Sequence, residues 1–440
     1  STLCIWKSRI MIKKILFGSK DKMKSAYLWN TCAAMLNAFQ TVFILMLISR
    51  IDPVIDAGVF TIAFAIGNLM MAIGKYGIRQ FQVSDVEEKY SFKEYTVARI
   101  VTSIIMIVAS FAYVGLNLAS GLYNSSKSIV IILICLAKVI DAVEDVIHGM
   151  FQQYLRLDVA GKILSIRMCT YIFVYLVCYY FSKNLILTSA VALLVSFIQF
   201  VILNYTAIRG FEIKKKTFEI KNVKNIFVEC FPLFIASYLV IYIGNAPKYA
   251  IDKVMSSEAQ ACFTYIFMPV FVISLLSQFV YQPVISKMAL LWHEKKISQF
   301  NKLILRQIAL ILLLSVAAII GGYLLGIPVL SLIYGVDLTD YKKSLVILLI
   351  GGGALAIVNF LQMIITVARK QKLLNIGYLL AFLLFVFGGK TITEKHGMIG
   401  ISVFYTAVVM ILGAVFIVLT IGIIKGYANS DGKTVAEKKQ

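Results

Sequence analysis

The feature that most constrains this chain is a series of long apolar runs separated by short polar segments. Hydrophobic residues make up 60% of its 440 residues and charged residues 15%, whereas soluble globular chains average about 45 to 50% and about 25%. A run of about 20 apolar residues crosses the hydrocarbon core of a bilayer. The strands of a membrane barrel alternate polar and apolar residues over roughly ten positions instead. The sequence therefore predicts an all-α integral membrane protein.

The apolar runs define about twelve membrane spans. The longest polar stretch between spans divides them into two sets of six, and an even number of spans returns the chain to the face from which it started. Both sets then enter the membrane in the same direction, which predicts a parallel pseudo-two-fold repeat. The predicted spans are 26–49, 56–76, 96–117, 128–150, 162–181, 184–206, 226–246, 257–282, 303–325, 343–367, 372–389 and 398–424.

These spans predict five segments in the order of the chain. A basic interfacial segment at 1–25 precedes a first six-helix bundle at 26–208. A basic cytoplasmic linker at 209–225 leads to a second six-helix bundle at 226–425, and a cytoplasmic tail follows at 426–440.

The basic residues predict the orientation of the chain. It has 43 Lys and Arg against 22 Asp and Glu. If the N-terminus is cytoplasmic, 33 of these 43 basic residues lie in inner segments, 9 lie in outer segments, and Lys138 lies within a span. Inner loops are enriched in Lys and Arg, so we expect a multi-pass protein of the cytoplasmic membrane with both termini inside. The basic excess then reflects topology, and we expect no nucleic-acid partner.

The loops exclude several classes of protein. No stretch between spans is longer than about 20 residues, so the sequence leaves no room for a soluble catalytic domain. No G-x-x-x-x-G-K-[ST] motif of an ATPase is present. The three histidines are too dispersed along the chain to form a zinc site. We therefore expect neither an enzyme nor a cofactor or metal centre.

The fourth span carries the strongest signal for function. Lys138, Asp141, Asp145 and His148 are spaced to share one helical stripe, with Glu144 at its edge. Each charge costs about 2.5 to 3.5 kcal/mol at the centre of a lipid-facing helix. These side chains must therefore face a partner or water.

Two interpretations of this stripe stay open. In the first, Lys138 and Asp141 line a hydrated cavity in which the lysine attracts an anionic substrate, and Asp141, Glu144 and Asp145 provide proton or sodium coupling. In the second, Lys138 pairs with Asp141 for packing, while Glu144, Asp145 and His148 lie at the inner interface.

The end of the seventh span is the second candidate region. Pro247 is predicted to break the helix near the outer surface, with Asn245, Lys248 and Asp252 around it. Lys248 and Asp252 are four residues apart and could form an interfacial ion pair. Alternatively, Asn245 and Lys248 contact substrate, while Pro247 and Asp252 belong to an outer gate.

Weaker candidates are uncharged polar residues within spans and arginines at the inner mouth. Interhelical hydrogen bonding explains the first group about as well as substrate contact does, and the positive-inside rule alone accounts for the second. The polar candidates for the substrate cavity are Asn37, Gln40, Gln278 and Gln282, with Asn30, Asn68, Asn359 and Gln362 as further polar positions. The arginines predicted to flank the inner mouth are Arg79, Arg99, Arg156, Arg167 and Arg306, and the candidates for phosphate binding among them are Arg79, Arg99, Arg156 and Arg306.

Six segments in order along the chain resemble the bacterial polysaccharide transporter family. This family comprises the O-antigen and capsule repeat-unit flippases of the multidrug/oligosaccharidyl-lipid/polysaccharide flippase superfamily. The segments are YGIRQFQVSD (76–85), QQYLRLDVAGK (152–162), FPLFIASYLVIYIGNAPKYAID (231–252), FMPVFVISLLSQFVYQP (267–283), GIPVLSLIYGVDLTDY (326–341) and the stretch from GGG to ARKQK (351–372).

The resemblance implies two six-helix bundles around a central cavity that opens alternately to the two sides of the membrane. It implies an undecaprenyl-diphosphate-linked oligosaccharide as substrate, flipped from the cytoplasmic to the outer leaflet, with polysaccharide polymerases and glycosyltransferases as candidate partners. Two alternatives are a multidrug or organic-cation antiporter on the same scaffold, and a non-transporting membrane scaffold for polysaccharide assembly.

Overall fold

The computed structural model describes residues 13–437 except 53, 86 and 214–216, with side chains up to residue 426. All regular secondary structure in this part of the chain is helical. Short 3-10 turns at Gln282–Val284, Thr339–Tyr341 and Gln371–Leu373 and a π-helical turn at Gly322–Gly326 connect the helices. The helices are α1 (13–17), α2 (Lys22–Ile51), α3 (Asp56–Lys75), α4 (Ile78–Ser84), α5 (Phe92–Ala119), α6 (Ser125–Gln153), α7 (Leu157–Ser182), α8 (Leu185–Ile208), α9 (Ile220–Val254), α10 (Ser257–Tyr281), α11 (Ile285–His293), α12 (Ile297–Gly321), α13 (Ile327–Tyr334), α14 (Lys342–Val367) and α15 (Leu374–Glu437).

Ten helical stretches of the described residues are long and apolar enough to cross a membrane. Helix α6 is not among them, although it has 29 residues, because charged side chains interrupt its apolar sequence. Its 29 residues are nevertheless enough to cross a hydrocarbon core, so we count α6 as the eleventh span, with Lys138 at its middle.

The last apolar stretch, Gln371–Gly426, contains two spans. Its 56 residues would extend about 84 Å as one helix, far beyond a hydrocarbon core of about 30 Å. Gly397 interrupts α15 with φ 57° and ψ −145°, a conformation that favours glycine. The ring centroids of Tyr378 and Phe416 lie 5.3 Å apart, and those of Phe385 and Phe404 lie 5.4 Å apart. The chain therefore folds back on itself, and the twelve predicted spans are recovered.

The chain forms two compact units, Ser1–Ile241 and Tyr242–Gln440, here called unit 1 and unit 2. The predicted linker at 209–225 lies within unit 1, because the first part of α9 packs there: Val223, Ile226 and Cys230 join the apolar core of that unit.

The two units repeat one order of elements. In each, a short helix follows the second span, namely α4 after α3 and α11 after α10. In each, the second span packs against the fourth: α3 against α6 in unit 1, and α10 against α14 in unit 2. This order matches the parallel repeat predicted from the span count.

The described part of the N-terminal segment packs onto unit 1. Leu16 is fully buried in the apolar core. The ammonium group of Lys162 on α7 donates to the carbonyl oxygens of Ile15 and Leu16, at 2.9 and 3.1 Å, and to the hydroxyl of Ser19 at 2.6 Å. Lys162 of α7 thus binds backbone carbonyls at the C-terminal end of α1, which have no partner within that helix. Residues 1–12 of the predicted interfacial segment lie outside the described residues.

The prediction that Pro247 breaks the seventh span was wrong. Pro247 is buried inside α9, and the helix continues to Val254. A proline removes one backbone hydrogen bond, but neighbouring helices allow membrane helices to tolerate this loss. Pro247 therefore does not end the span. The helix break on which its predicted role in a gate depended is not present.

We expect Gly161→Ala to destabilise the packing of α7 against α2. A Cβ atom at Gly161 would lie 2.8 Å from the backbone nitrogen of Asn30 and 2.8 Å from the backbone carbon of Trp29, and backbone atoms cannot rotate away. Overpacking of this kind costs about 1 to 3 kcal/mol, which thermal unfolding in detergent should register as a lower midpoint.

The matched control is Gly115→Ala on α5, where a Cβ would meet no atom within 4 Å. This variant should unfold at or above the temperature of the parent chain, because alanine favours a helix over glycine. Equal midpoints for the two variants would show that α2 and α7 do not pack as closely as described.

Candidate functional site

A buried ion network in unit 1 centres on Arg167 of α7. The Nε atom of Arg167 donates to Glu144 Oε2 at 3.0 Å, and its Nη2 atom donates to Asp141 Oδ1 at 2.5 Å. Asn204 of α8 donates its amide Nδ2 to Glu144 Oε1 at 2.9 Å. Lys138 Nζ lies 3.2 Å from Asp141 Oδ2. These five residues are called the Arg167 cluster.

The Arg167 cluster is almost closed to solvent. The side chains of Arg167 and Glu144 are each 2% exposed, and that of Lys138 is 5% exposed. The ammonium group of Lys138 also lies 4.3 Å from the centre of the Phe64 ring. A cavity of about 10 Å³ borders the cluster, which is room for about one water molecule. Within unit 1, the pairing of Lys138 with Asp141 predicted by the second interpretation therefore forms.

A second ion cluster lies one turn further along α6, around Asp145. Arg99 Nη2 lies 3.0 Å from Asp145 Oδ2, Arg79 Nη1 lies 3.4 Å from Oδ1, and Lys75 Nζ lies 4.0 Å from the same oxygen. Arg79 also donates to the side-chain carbonyl of Gln152 at 3.1 Å. Lys75, Arg79, Arg99 and Asp145 are called the Asp145 cluster.

The Asp145 cluster has more positive than negative charge. One carboxylate is shared by three cationic side chains, whereas the Arg167 cluster balances Lys138 and Arg167 against Asp141 and Glu144. Arg99 is fully buried, and it also donates to the backbone carbonyl of Gly74. By contrast, the side chains of Lys75 and Arg79 are 39% and 28% exposed. The accessible excess positive charge of the network therefore lies on Lys75 and Arg79.

The three carboxylates predicted for ion coupling all have cationic partners. Asp141 and Glu144 bind Arg167, and Asp145 binds Arg99 and Arg79. His148 Nε2 lies 3.9 Å from Glu144 Oε1. A proton or sodium ion could reach these carboxylates only if such pairs opened, and coupling stays a prediction.

The two cavity candidates of the first span, Gln40 and Asn37, lie in different surroundings. Gln40 is buried and lines the small cavity with Lys138, Asp141 and Arg167. Asn37 is exposed, and its side-chain oxygen accepts a hydrogen bond of 3.3 Å from Gln40. The structure thus brings Gln40 to the Arg167 cluster and leaves Asn37 one turn away.

The four arginines predicted for phosphate binding have different surroundings. Arg79 and Arg99 belong to the Asp145 cluster. Arg156 forms a two-point ion pair with Asp158 at 2.8 and 3.0 Å, which neutralises it. Arg306 is exposed on α12 of unit 2. Of the four, Arg79 alone is both solvent-accessible and part of the buried network.

The predicted ion pair between Lys248 and Asp252 does not form. Lys248 is half-buried, and no carboxylate of the described chain lies within 4.0 Å of its ammonium group; the ring centre of Phe267 lies 6.0 Å away. Asp252 is buried, and Asn245 is half-buried. Because α9 continues past Pro247, these residues lie on a helix and not in a loop at its end.

Unit 2 has a cavity of about 520 Å³ lined by α10, the turn and short helix that follow it, and α14. Both predicted glutamines of the eighth span, Gln278 and Gln282, line it, together with Asn359 and Gln362 of α14. The cavity thus unites two pairs of residues that the sequence placed on separate spans. The other lining residues are Tyr281, Ile285, Met363, Thr366 and Val367.

Sequence reasoning missed Arg167, Lys75 and Asn204 as members of the network. Arg167 was assigned to the inner mouth, but it lies ten residues after Leu157, or about 15 Å along α7. The signal available in the sequence was that Arg167 lies inside the predicted span 162–181 and not in a loop. Asn204 offered no such signal, because a single amide in a span is ordinary.

No group of three or more His, Cys, Asp or Glu residues in the described ranges is arranged to hold a metal ion. The three carboxylates of the network are held by cationic side chains. The accessible cations of the network can bind and orient an anionic group.

The chain is similar in sequence to a known protein. No family model matches the chain. It is 22% identical over 356 residues to the capsular polysaccharide biosynthesis protein CapF of Staphylococcus aureus. The aligned region covers 80% of this chain and 87% of that protein. This similarity confirms the resemblance to the polysaccharide transporter family drawn from the sequence.

Solved structures identify the fold. The lipid II flippase MurJ in an inward closed conformation matches with a TM-score of 0.70 and 14% identity over 91% of this chain and 90% of that one. An inward-facing multidrug resistance MATE transporter of the MOP superfamily matches with a TM-score of 0.67 and 12% identity over 90% and 96%. The chain therefore has the all-helical fold of these two proteins.

We expect Arg167→Met to destabilise unit 1 more than Lys138→Met. Loss of the guanidinium leaves both Asp141 and Glu144 buried without their main partner, and breaking a buried ion pair costs about 3 to 5 kcal/mol. Loss of Lys138 leaves Asp141 bound to Arg167 and should cost less. Both losses of stability can be measured as the change in the free energy of unfolding in mixed micelles of mild detergent and SDS.

The control is Arg209→Met, which removes an exposed arginine at the end of α8. It should change the free energy of unfolding by less than about 0.5 kcal/mol, as surface substitutions usually do. If Arg167→Met and Arg209→Met were equally stable, Arg167 would not be the centre of the network.

Proposed function

We propose that this chain is a flippase that moves an undecaprenyl-diphosphate-linked oligosaccharide from the cytoplasmic to the outer leaflet for the assembly of a surface polysaccharide. The MOP fold, the similarity to a capsular polysaccharide biosynthesis protein and the family resemblance support this assignment. The observation that carries it is the Asp145 cluster, in which one carboxylate is shared by three cations, two of them accessible.

An excess of accessible positive charge favours an anionic ligand. A diphosphate needs charged hydrogen-bond donors when it leaves bulk water, because an unpaired charge is costly to bury. Lys75 and Arg79 offer such donors next to a network that holds their backbones in place. We therefore assign the first contact with the diphosphate to Lys75 and Arg79, and a positioning role to the buried Arg99 and Arg167.

Flipping requires no bond to form or break. Only the diphosphate and the sugars need shelter from hydrocarbon, since the lipid tail can remain in the bilayer. Moving negative charge outward across a membrane that is negative inside is favourable by about 2.3 kcal/mol per charge per 100 mV. The membrane potential can thus drive the step, and entry of protons or sodium through Asp141, Glu144 or Asp145 is a second source of energy.

An organic-cation antiporter on the same scaffold is the main alternative. Such a protein requires carboxylates that are free to meet a cationic drug. Here Asp141, Glu144 and Asp145 are all held by lysine or arginine. The charge balance of unit 1 therefore favours the flippase.

We expect the double variant Lys75→Gln/Arg79→Gln to lower the rate of flipping at least about tenfold. Each charge-assisted hydrogen bond to a ligand contributes about 1.5 to 3 kcal/mol, so the loss of two should exceed a factor of ten. The measurement is the transfer of lipid-linked oligosaccharide between leaflets of proteoliposomes that contain the full chain.

The matched control is Lys93→Gln/Lys224→Gln, which removes two exposed lysines outside the network and changes the net charge equally. It should flip at the parent rate. Equal rates for the two double variants would assign the diphosphate contact to other residues. If cells that carry the cavity variants still assembled the surface polysaccharide although these variants flipped no lipid, a scaffold that does not transport would be favoured.

A further inference from the structure

The cavity of unit 2 differs in chemistry from the ion network of unit 1. Gln278 and Gln282 lie one turn apart on the α10 side, and Asn359 and Gln362 lie one turn apart on α14. The nine residues that line the cavity include four amides, one phenol and one hydroxyl, and none of them is charged. The four amide residues Gln278, Gln282, Asn359 and Gln362 are called the amide cluster.

The amide cluster is only partly satisfied by the protein. Asn359 donates its Nδ2 atom to the hydroxyl of Ser274 at 2.7 Å, which fixes its orientation. Within the described ranges, the side chains of Gln278, Gln282 and Gln362 form no hydrogen bond with another residue. Gln278 and Gln282 are exposed, and Gln362 is half-buried. An amide without a partner is costly in an apolar environment, so these groups require water or a polar ligand.

The position in unit 1 that corresponds to this cavity in the repeat is occupied by side chains that contact each other. There too, the end of the second span and the short helix after it face the second half of the fourth span. In unit 1 the polar residues of this place bond to each other: Arg79 of α4 contacts Asp145 and Gln152 of α6. In unit 2 the polar residues line an open cavity instead. The repeat therefore places a cluster of charged residues at this position in unit 1 and uncharged amides at its counterpart in unit 2.

The lining determines the chemistry of that ligand. Amides donate and accept hydrogen bonds at once, as sugar hydroxyls and acetamido groups do. Tyr281, Ile285, Met363 and Val367 add apolar surface, which suits the C–H face of a sugar ring. A phosphate would lack a cationic partner among the lining residues, and a lipid tail would leave the amides unpaired. A volume of about 520 Å³ lies in the range of small-molecule sites, about 300 to 1,000 Å³.

We propose that the amide cluster of unit 2 is a binding site for the neutral sugar part of the substrate head, separate from the cations of unit 1 that take the diphosphate. This proposal rests on the proposed function and refines it, because it assigns sugar recognition to named residues. It predicts that loss of these amides impairs the full glycan but spares a lipid that carries a single sugar.

The test measures protection of a cysteine in the cavity. In the full-length variant Gln282→Cys, labelling of residue 282 by a membrane-impermeant maleimide is followed by mass spectrometry of the peptide. The probes are the free oligosaccharide released from the lipid of the producing cells, and undecaprenyl diphosphate without sugar. The free oligosaccharide should slow labelling about tenfold, and Gln278→Leu should raise the concentration needed by about tenfold, the factor for one lost hydrogen bond of about 1.4 kcal/mol.

The control is Gln299→Cys, an exposed position near the start of α12 outside the cavity, whose labelling should not change. Protection of residue 282 by the free oligosaccharide, without protection of residue 299, supports the proposal. Protection by undecaprenyl diphosphate alone, or by neither probe, overturns it.

A transport assay separates this proposal from the proposed function. Gln278→Leu/Gln282→Leu should slow the full lipid-linked glycan about tenfold and leave the lipid with one sugar at the parent rate. Equal effects on both lipids overturn the sugar site while flipping stands. If the parent chain flips neither lipid, the proposed function fails, and the protection experiment still decides whether the amide cluster binds sugar.

Discussion

The guanidinium of Arg167, held between Asp141 and Glu144, is the interaction on which unit 1 depends. Three helices, α6, α7 and α8, contribute to it through Glu144, Arg167 and Asn204. A charge facing lipid costs several kcal/mol, so α6 can cross the membrane only if its charged stripe faces these partners. The network thereby fixes the rotation of α6 about its axis, and with it the position of Asp145.

The position of Asp145 gives the network an exposed side. Its carboxylate is shared by Arg99, Arg79 and Lys75, of which Arg99 is buried and the other two are accessible. The buried, charge-balanced core thus holds the helices together, and the accessible basic edge is the part that we propose binds the ligand. In unit 2 the described buried polar side chains are uncharged apart from Asp252, and four amides line the cavity. The two units present different chemistry on one repeated order of helices.

The sequence predicted the class of fold well, because each span is recognisable by itself as a run of about 20 apolar residues. It also identified α6 as the exceptional span, and Gln278 and Gln282 as polar candidates. Partners were harder to predict, since the pairing of Glu144 with Asn204 joins positions 60 residues apart. Arg167 was misplaced because the positive-inside rule explains any arginine near an inner loop. Pro247 was misread because a proline that ends a soluble helix can lie inside a membrane helix.

The measurement that tests the central claim most directly is leaflet transfer by the unmodified chain in proteoliposomes. Lipid-linked oligosaccharide is placed in one leaflet, its arrival in the other is followed with a membrane-impermeant lectin, and uptake of a cationic dye is measured in the same vesicles. We expect vesicles with the chain to transfer the oligosaccharide faster than vesicles without protein, and to take up no more dye than they do. Transport of the dye without transfer of the oligosaccharide would contradict the account.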